Sequence, residues 1–125
     1  TSSKHLFCVL KLNNKDAIFL VDTGASNSCF DILKKDKYNL QSRGVKVELT
    51  SAAEKKLGAI SSENCKLIFN PQKVIDIRLM LIDMSTINEA LREQKEKEID
   101  GILGSDILNE IKAKIDYENL SIGFP

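Results

Sequence analysis

Asp22 is the residue best placed to do chemistry. It follows the apolar run Ala17-Ile18-Phe19-Leu20-Val21 and opens the string Asp22-Thr23-Gly24-Ala25-Ser26. A carboxylate just past a buried strand is held by rigid backbone yet left open towards a cleft, the mounting an acid-base residue needs. Other chemistries find little support. His5 is the only histidine, which excludes Ser-His-Asp, Cys-His and two-His zinc arrangements from a single chain. Cys29 lies near Asp22 in sequence, but with no histidine nearby to lower its pKa it reads as a small buried hydrophobe. Cys8, Cys29 and Cys65 are odd in number and widely spaced, a poor disulfide framework and a poor metal site, and their usage favours a reducing compartment.

A second stretch far down the chain bears on the first. Asp100-Gly101-Ile102-Leu103-Gly104-Ser105-Asp106-Ile107-Leu108 places two apolar residues before a glycine, and Ser105-Asp106-Ile107-Leu108 echoes Phe30-Asp31-Ile32-Leu33 after the first motif. Together the two stretches resemble the retropepsin-like aspartic proteases. Asp22-Thr23-Gly24-Ala25-Ser26 is similar to that family's active-site motif. Ile102-Leu103-Gly104 is similar to the segment that completes the ψ-shaped loop beside it, and the echo fits the family's pseudo-symmetric lobe. The resemblance implies an all-β acid-protease closed barrel with a ψ-loop active site, a flap-like hairpin and two or three short helices.

It also implies an aspartic endopeptidase. Peptide hydrolysis needs a base to take a proton from water and an acid to polarise the carbonyl and protonate the leaving amine, more than one Asp can do alone. At 125 residues the chain reads as one domain, residues 1–125, too short for a two-lobed enzyme. Two Asp22 carboxylates would therefore meet across a homodimer and share one proton, giving a bell-shaped rate profile with an optimum at roughly pH 4 to 6.5. By the resemblance, Thr23 locks the two loops across the dimer, Gly24 packs beneath the carboxylates, and Ala25 and Ser26 line or support the pocket. Substrate is an extended peptide, the attacking group is water, and neither metal nor cofactor is expected.

The 18 basic and 18 acidic residues cancel, which argues against nucleic acid or an anionic membrane as partner. No apolar run is long enough to span a bilayer, and Thr1-Ser2-Ser3-Lys4 carries no signal-peptide core. A domain excised from a longer or anchored precursor stays open beside a cytoplasmic one.

Periodicity supplies the elements that position the motif. Leu6 to Leu12 and Ala17 to Val21 form a hairpin about Asn13-Asn14-Lys15-Asp16, and Phe30 to Lys35 is a short helix or turn with Ile32 and Leu33 facing the core. Val45 to Thr50 alternates and returns through Leu57 to Ile60 towards Cys65 to Phe69, a flap-like hairpin whose tip, Ser51, Ala52, Ala53 and Glu54, would meet substrate. Viral flaps carry glycines at the tip and this one has none, so a peptide-covering flap and an ordinary solvated hairpin both stay open. Val74 to Ile82 reads as one strand. Asp83 to Glu98 reads as a surface helix with a capping box at Thr86 to Glu89, a Glu93 to Lys97 pair and a thin stripe of Ile87 and Leu91. Ser105 caps a helix through Lys112, where Asp106 serves the helix N-terminus, and Ala113 to Tyr117 and Leu120 to Phe124 close the chain as a hairpin. Asp100 and Asp116 read as turn or strand-end residues.

Two other readings stand beside the enzyme: a catalytically silent dimeric scaffold or peptide-binding module, and an unrelated β-domain with a chance Asp-Thr-Gly. The intact motif counts against the first and the matched Ile102-Leu103-Gly104 against the second.

Overall fold

The hairpin that delivers Asp22 follows from its turn. Asn13 and Asn14 hold positive φ angles of 49° and 70°, which asparagine tolerates and a two-residue hairpin loop of the favoured hand requires. β1 (Leu6–Leu12) and β2 (Lys15–Val21) thus pair antiparallel from Leu12↔Lys15 to Leu6↔Val21. This is a computed structural model, and it describes residues 5–50 and 56–124. The remaining elements are β3 (Cys29–Asp31), a 3-10 turn (Ile32–Lys34), β4 (Ser42–Thr50), β5 (Lys56–Ser62), β6 (Cys65–Asn70), β7 (Lys73–Ile77) and β8 (Met80–Ile82). After these come α1 (Ser85–Glu93), β9 (Gly101–Leu103), α2 (Ser105–Glu110), β10 (Lys114–Asp116) and β11 (Ser121–Gly123).

Nine strands form one sheet in the order β4-β5-β8-β3-β9-β2-β1-β6-β7, curled into a half-barrel, and β10-β11 form a separate ribbon. The short β9 is the topological key. It runs parallel to β2 and antiparallel to β3, so a segment from near the end of the chain threads between the two strands that flank the Asp22 loop. That is the ψ arrangement.

Alternation along β1 and β2 sorts their side chains into two cores. Leu10, Leu12, Ala17 and Phe19 turn to the larger core, where Phe19, Phe30 and Tyr38 are fully buried with ring centroids 5.8 and 5.0 Å apart. Phe7, Ile18 and Leu20 turn the other way, against Met84 and Leu91 of the α1 region and Ile99. The terminal ribbon leans on the larger core through Ile115, Ile122 and Phe124, whose ring lies 4.8 Å from Phe69.

Several local expectations need correction. Val74 to Ile82 is two strands, because fully buried Leu79 redirects the chain: its N–H donates to Ser62 Oγ at 2.9 Å, and its carbonyl accepts from Ser62 N–H at 2.9 Å. β7 accordingly stays on β6 while β8 crosses to pair with β3. The surface helix stops at Glu93, so the Glu93 to Lys97 pair does not lie on it. Its N-cap is Met84 without a side-chain bond, and the Asp83 carboxylate instead accepts from Ser85 N–H at 2.8 Å. Lys95 at φ 58° ends the helix, and buried Asn88 ties the chain back by exchanging hydrogen bonds of 3.0 and 2.7 Å with the Ile99 backbone. Leu33 is 68% exposed rather than core-facing, while Ile32 is partly buried against the core. The hairpin expected across residues 45–60 is present as the antiparallel pair β4 and β5. Its tip residues Ser51, Ala52, Ala53 and Glu54 lie outside the described residues.

Candidate active site

Asp22 stands one residue beyond β2, and its backbone is locked from below. Its N–H donates to Leu103 O at 2.9 Å, continuing the β2 to β9 pairing by one bond. The chain then turns sharply, with Ala25 N–H donating to Asp22 O at 3.2 Å and Gly24 N–H donating to Asp22 Oδ1 at 2.9 Å. The last of these orients the carboxylate, and a charge-assisted bond of this kind is stronger than a neutral one. Asp22, Thr23, Gly24 and Ser26 are exposed and Ala25 half-buried, whereas Leu103 and Gly104 beneath them are buried.

Ile102, Leu103 and Gly104 lie beside the Asp22 loop. Leu103 is fully buried in the larger core and Ile102 packs against the smaller one. Gly104 is extended, at φ −98° and ψ −178°, so its role is close approach and not unusual backbone. A Cβ there would come within 2.6 Å of Ala25 O. Ser105 N–H meets the same carbonyl at 2.7 Å. Ser105 is therefore not the helix cap: Gly104 holds that position with no side-chain bond, and Ser105 uses its backbone across the loop.

Sequence reasoning missed three contributors. Ser28, 1% exposed, accepts from Gly104 N–H at 2.8 Å through Oγ and donates that hydroxyl to Asp106 Oδ1 at 2.7 Å. Asp106, expected only to serve its own helix, thus reaches across to Ser28, just before β3. Asp100, read as a turn residue, is a junction: Oδ2 accepts from Ile18 N–H at 2.8 Å, and Oδ1 pairs with Lys34 Nζ. Its main chain also exchanges bonds with Ile18 and Asp31. A lone serine or aspartate carries no periodic signal, and only the fold reveals these partners. Asp116 does sit at a strand end, where Asn119 hydrogen bonds hold its carboxyl below the usual carboxylate range.

A family model described as aspartyl protease matches residues 9–107, a span that takes in both Asp22-Thr23-Gly24 and Ile102-Leu103-Gly104. The chain belongs to the aspartyl protease family. Its fold is similar to that of retropepsin-like proteases. It is similar to EIAV protease, solved in complex with the inhibitor HBY-793, at 18% identity and a TM-score of 0.66 over 90% of this chain and 92% of that one. The retroviral protease-like domain of Ddi1 from Leishmania major matches at 14% identity and a TM-score of 0.66 over 98% and 90%. A retropepsin-like aspartic protease from Rickettsia conorii matches at 18% identity and a TM-score of 0.56 over 90% and 75%. A search of curated protein sequences gives no match.

In this member of the aspartyl protease family the thiols are held in their neutral, poorly nucleophilic form. Burial, then the Asp106 charge, pushes Cys29 up from 9.0 to about 11. Burial alone pushes Cys8 up to about 12, and it is the main reason Cys65 rises to about 11. Each folded value lies above the unfolded one, so the stability tied to the neutral thiol is fully present below about pH 9 and is lost as pH rises through the folded value. Denaturant melts at stepped pH should show stability falling as pH climbs from 9 towards 11, and alkylation of the native protein at pH 8 should be far slower than in denaturant. Rapid native labelling of Cys29 at neutral pH would contradict this.

Proposed function

We propose that the protein is an aspartic endopeptidase whose active site assembles from two copies of the chain, each supplying Asp22. The observation that carries this reading is the mounting of Asp22: an exposed carboxylate, oriented by Gly24 N–H, on a backbone clamped to buried β9. The other carboxylates around the ψ are engaged elsewhere. Asp31 accepts from Leu33 N–H, Asp100 from Ile18 N–H and Lys34, and Asp106 from Ser28. A second carboxylate for the chemistry is therefore supplied by a partner copy in a two-fold, self-complementary contact.

In the dimer, the ionised Asp22 takes a proton from water as the water oxygen bonds to the scissile carbonyl carbon, and the protonated Asp22 gives its proton to the carbonyl oxygen. Collapse of the resulting diol breaks the C–N bond, the amine leaving with a proton from the first carboxyl and a hydroxyl proton returning to the second. Because the pair works with one proton between the two carboxylates, rate should peak on the acid side of neutral. Thr23 braces the paired loops, Ala25 and Ser26 border the pocket, and the β4 to β5 hairpin, with the Ser51 to Glu54 tip, covers an extended peptide.

Digestion of a peptide library over a range of enzyme concentrations tests this, with sedimentation run on the same samples. Specific activity is expected to fall on dilution as dimers dissociate. Turnover strictly proportional to enzyme in samples shown to be monomeric would refute the shared site. No cleavage by a folded dimer that still binds peptide would favour the silent-scaffold reading.

A further inference from the structure

We infer that Asp106 is a positioning residue for Asp22, acting through Ser28; the inference rests on the reading of Asp22 as the acid-base group. Asp106 does serve its own helix, since Oδ1 accepts from Ile107 N–H at 2.8 Å. It does more, however: Oδ2 accepts from Ser28 N–H at 3.0 Å and Oδ1 from Ser28 O–H at 2.7 Å. Both hydrogen-bond donors of a buried serine 78 positions away in sequence thus converge on the carboxylate of an exposed residue. A helix cap alone has no use for either bond.

The Ser28 hydroxyl can donate only once, and the Asp106 carboxylate accepts that hydrogen bond. Its oxygen is then turned so that a lone pair faces the Gly104 N–H, which it accepts at 2.8 Å. Gly104 and Ser105 in turn meet Ala25, whose carbonyl receives Ser105 N–H at 2.7 Å, and Ala25 N–H reaches Asp22 O at 3.2 Å. A continuous set of hydrogen bonds therefore runs from Asp106 through Ser28, Gly104-Ser105 and Ala25 to the turn that aims Asp22. At its centre Ser28 and Gly104 are buried, where the low local dielectric strengthens such bonds and helps to fix a single geometry. Catalytic groups are sensitive to small displacements, so weakening the far end should be felt at the carboxylate.

Two readouts on Ser28→Ala, Asp106→Ala and Asp106→Asn test this. The first is amide hydrogen exchange, which needs no substrate. Exchange at the Asp22, Ala25 and Ser105 amides is expected to rise about tenfold or more in both alanine variants, while Leu12 and Leu67 in the β1 to β6 pairing keep wild-type protection. Asp106→Asn retains one carbonyl acceptor and should fall between, which keeps the test available if Ser28→Ala does not fold. The second is peptide hydrolysis, where kcat is expected to drop about tenfold with KM unchanged, and the Ser28→Ala/Asp106→Ala double variant should be no worse than either single one. Unchanged exchange at Asp22, Ala25 and Ser105, or a uniform rise at all amides, would overturn the inference. So would additive losses in the double variant. Should the wild type cleave no peptide, the acid-base reading fails by itself, and the exchange pattern still decides whether Asp106 braces the loop.

Discussion

Replacing Asp22 with Asn is expected to lower hydrolysis by about 1,000-fold or more, within the range assigned to positioned acid-base groups, and to leave the fold unchanged. Both active-site carboxylates vanish in such a homodimer, so base and acid are lost together. Stability should hold because the side chain is exposed and its one structural bond, from Gly24 N–H to Oδ1, can be accepted equally by an amide oxygen. Circular dichroism and thermal melts would establish the fold, and peptide turnover the effect. Wild-type turnover in the purified variant would remove Asp22 from the chemistry.

Gly104→Ala should be nearly as damaging for a different reason. The new Cβ would sit 2.6 Å from Ala25 O and 3.1 Å from Asn27 C, both backbone atoms of the loop that carries Asp22. Neither can rotate away as a side-chain tip would, so the loop itself has to shift. Overpacking of this kind costs ~1–3 kcal/mol, and displacing a catalytic carboxylate by about 1 Å costs roughly 100-fold in rate. Denaturant melts and kinetics on the same sample separate the two effects. A variant with wild-type activity would show that the loop tolerates displacement and that the close packing under Asp22 is incidental.

How much was legible in the sequence depends on how local each signal is. The first hairpin could be read because two nearly continuous apolar runs, Leu6 to Leu12 and Ala17 to Val21, flank a short polar cluster, and Asn13-Asn14 suits the turn that it makes. The second stretch could be placed beside Asp22 because Ile102-Leu103-Gly104 resembles a family segment, not because anything in its periodicity demands parallel pairing with β2. Where packing decides, reading failed. Nothing in Val74 to Ile82 announces that Leu79 will be swallowed by the core and split the strand. The buried Asn88 that folds residues 94–99 back on α1 looks in sequence like any polar helix residue. The same applies at the site: the Asp22 motif could be singled out from its neighbours, while Ser28 and Asp106 acquire meaning only once the fold brings together two residues 78 positions apart.

The shared active site is tested most directly by mixing subunits. Wild type and Asp22→Asn are combined at fixed total concentration, allowed to exchange, and assayed on a cleavable peptide. With one Asp22 required from each copy, only wild-type pairs work, so activity should follow the square of the wild-type fraction and fall to about one quarter in an equal mixture. A linear response, with about one half of the activity kept at that point, would mean that each chain hydrolyses peptide alone and would contradict the dyad.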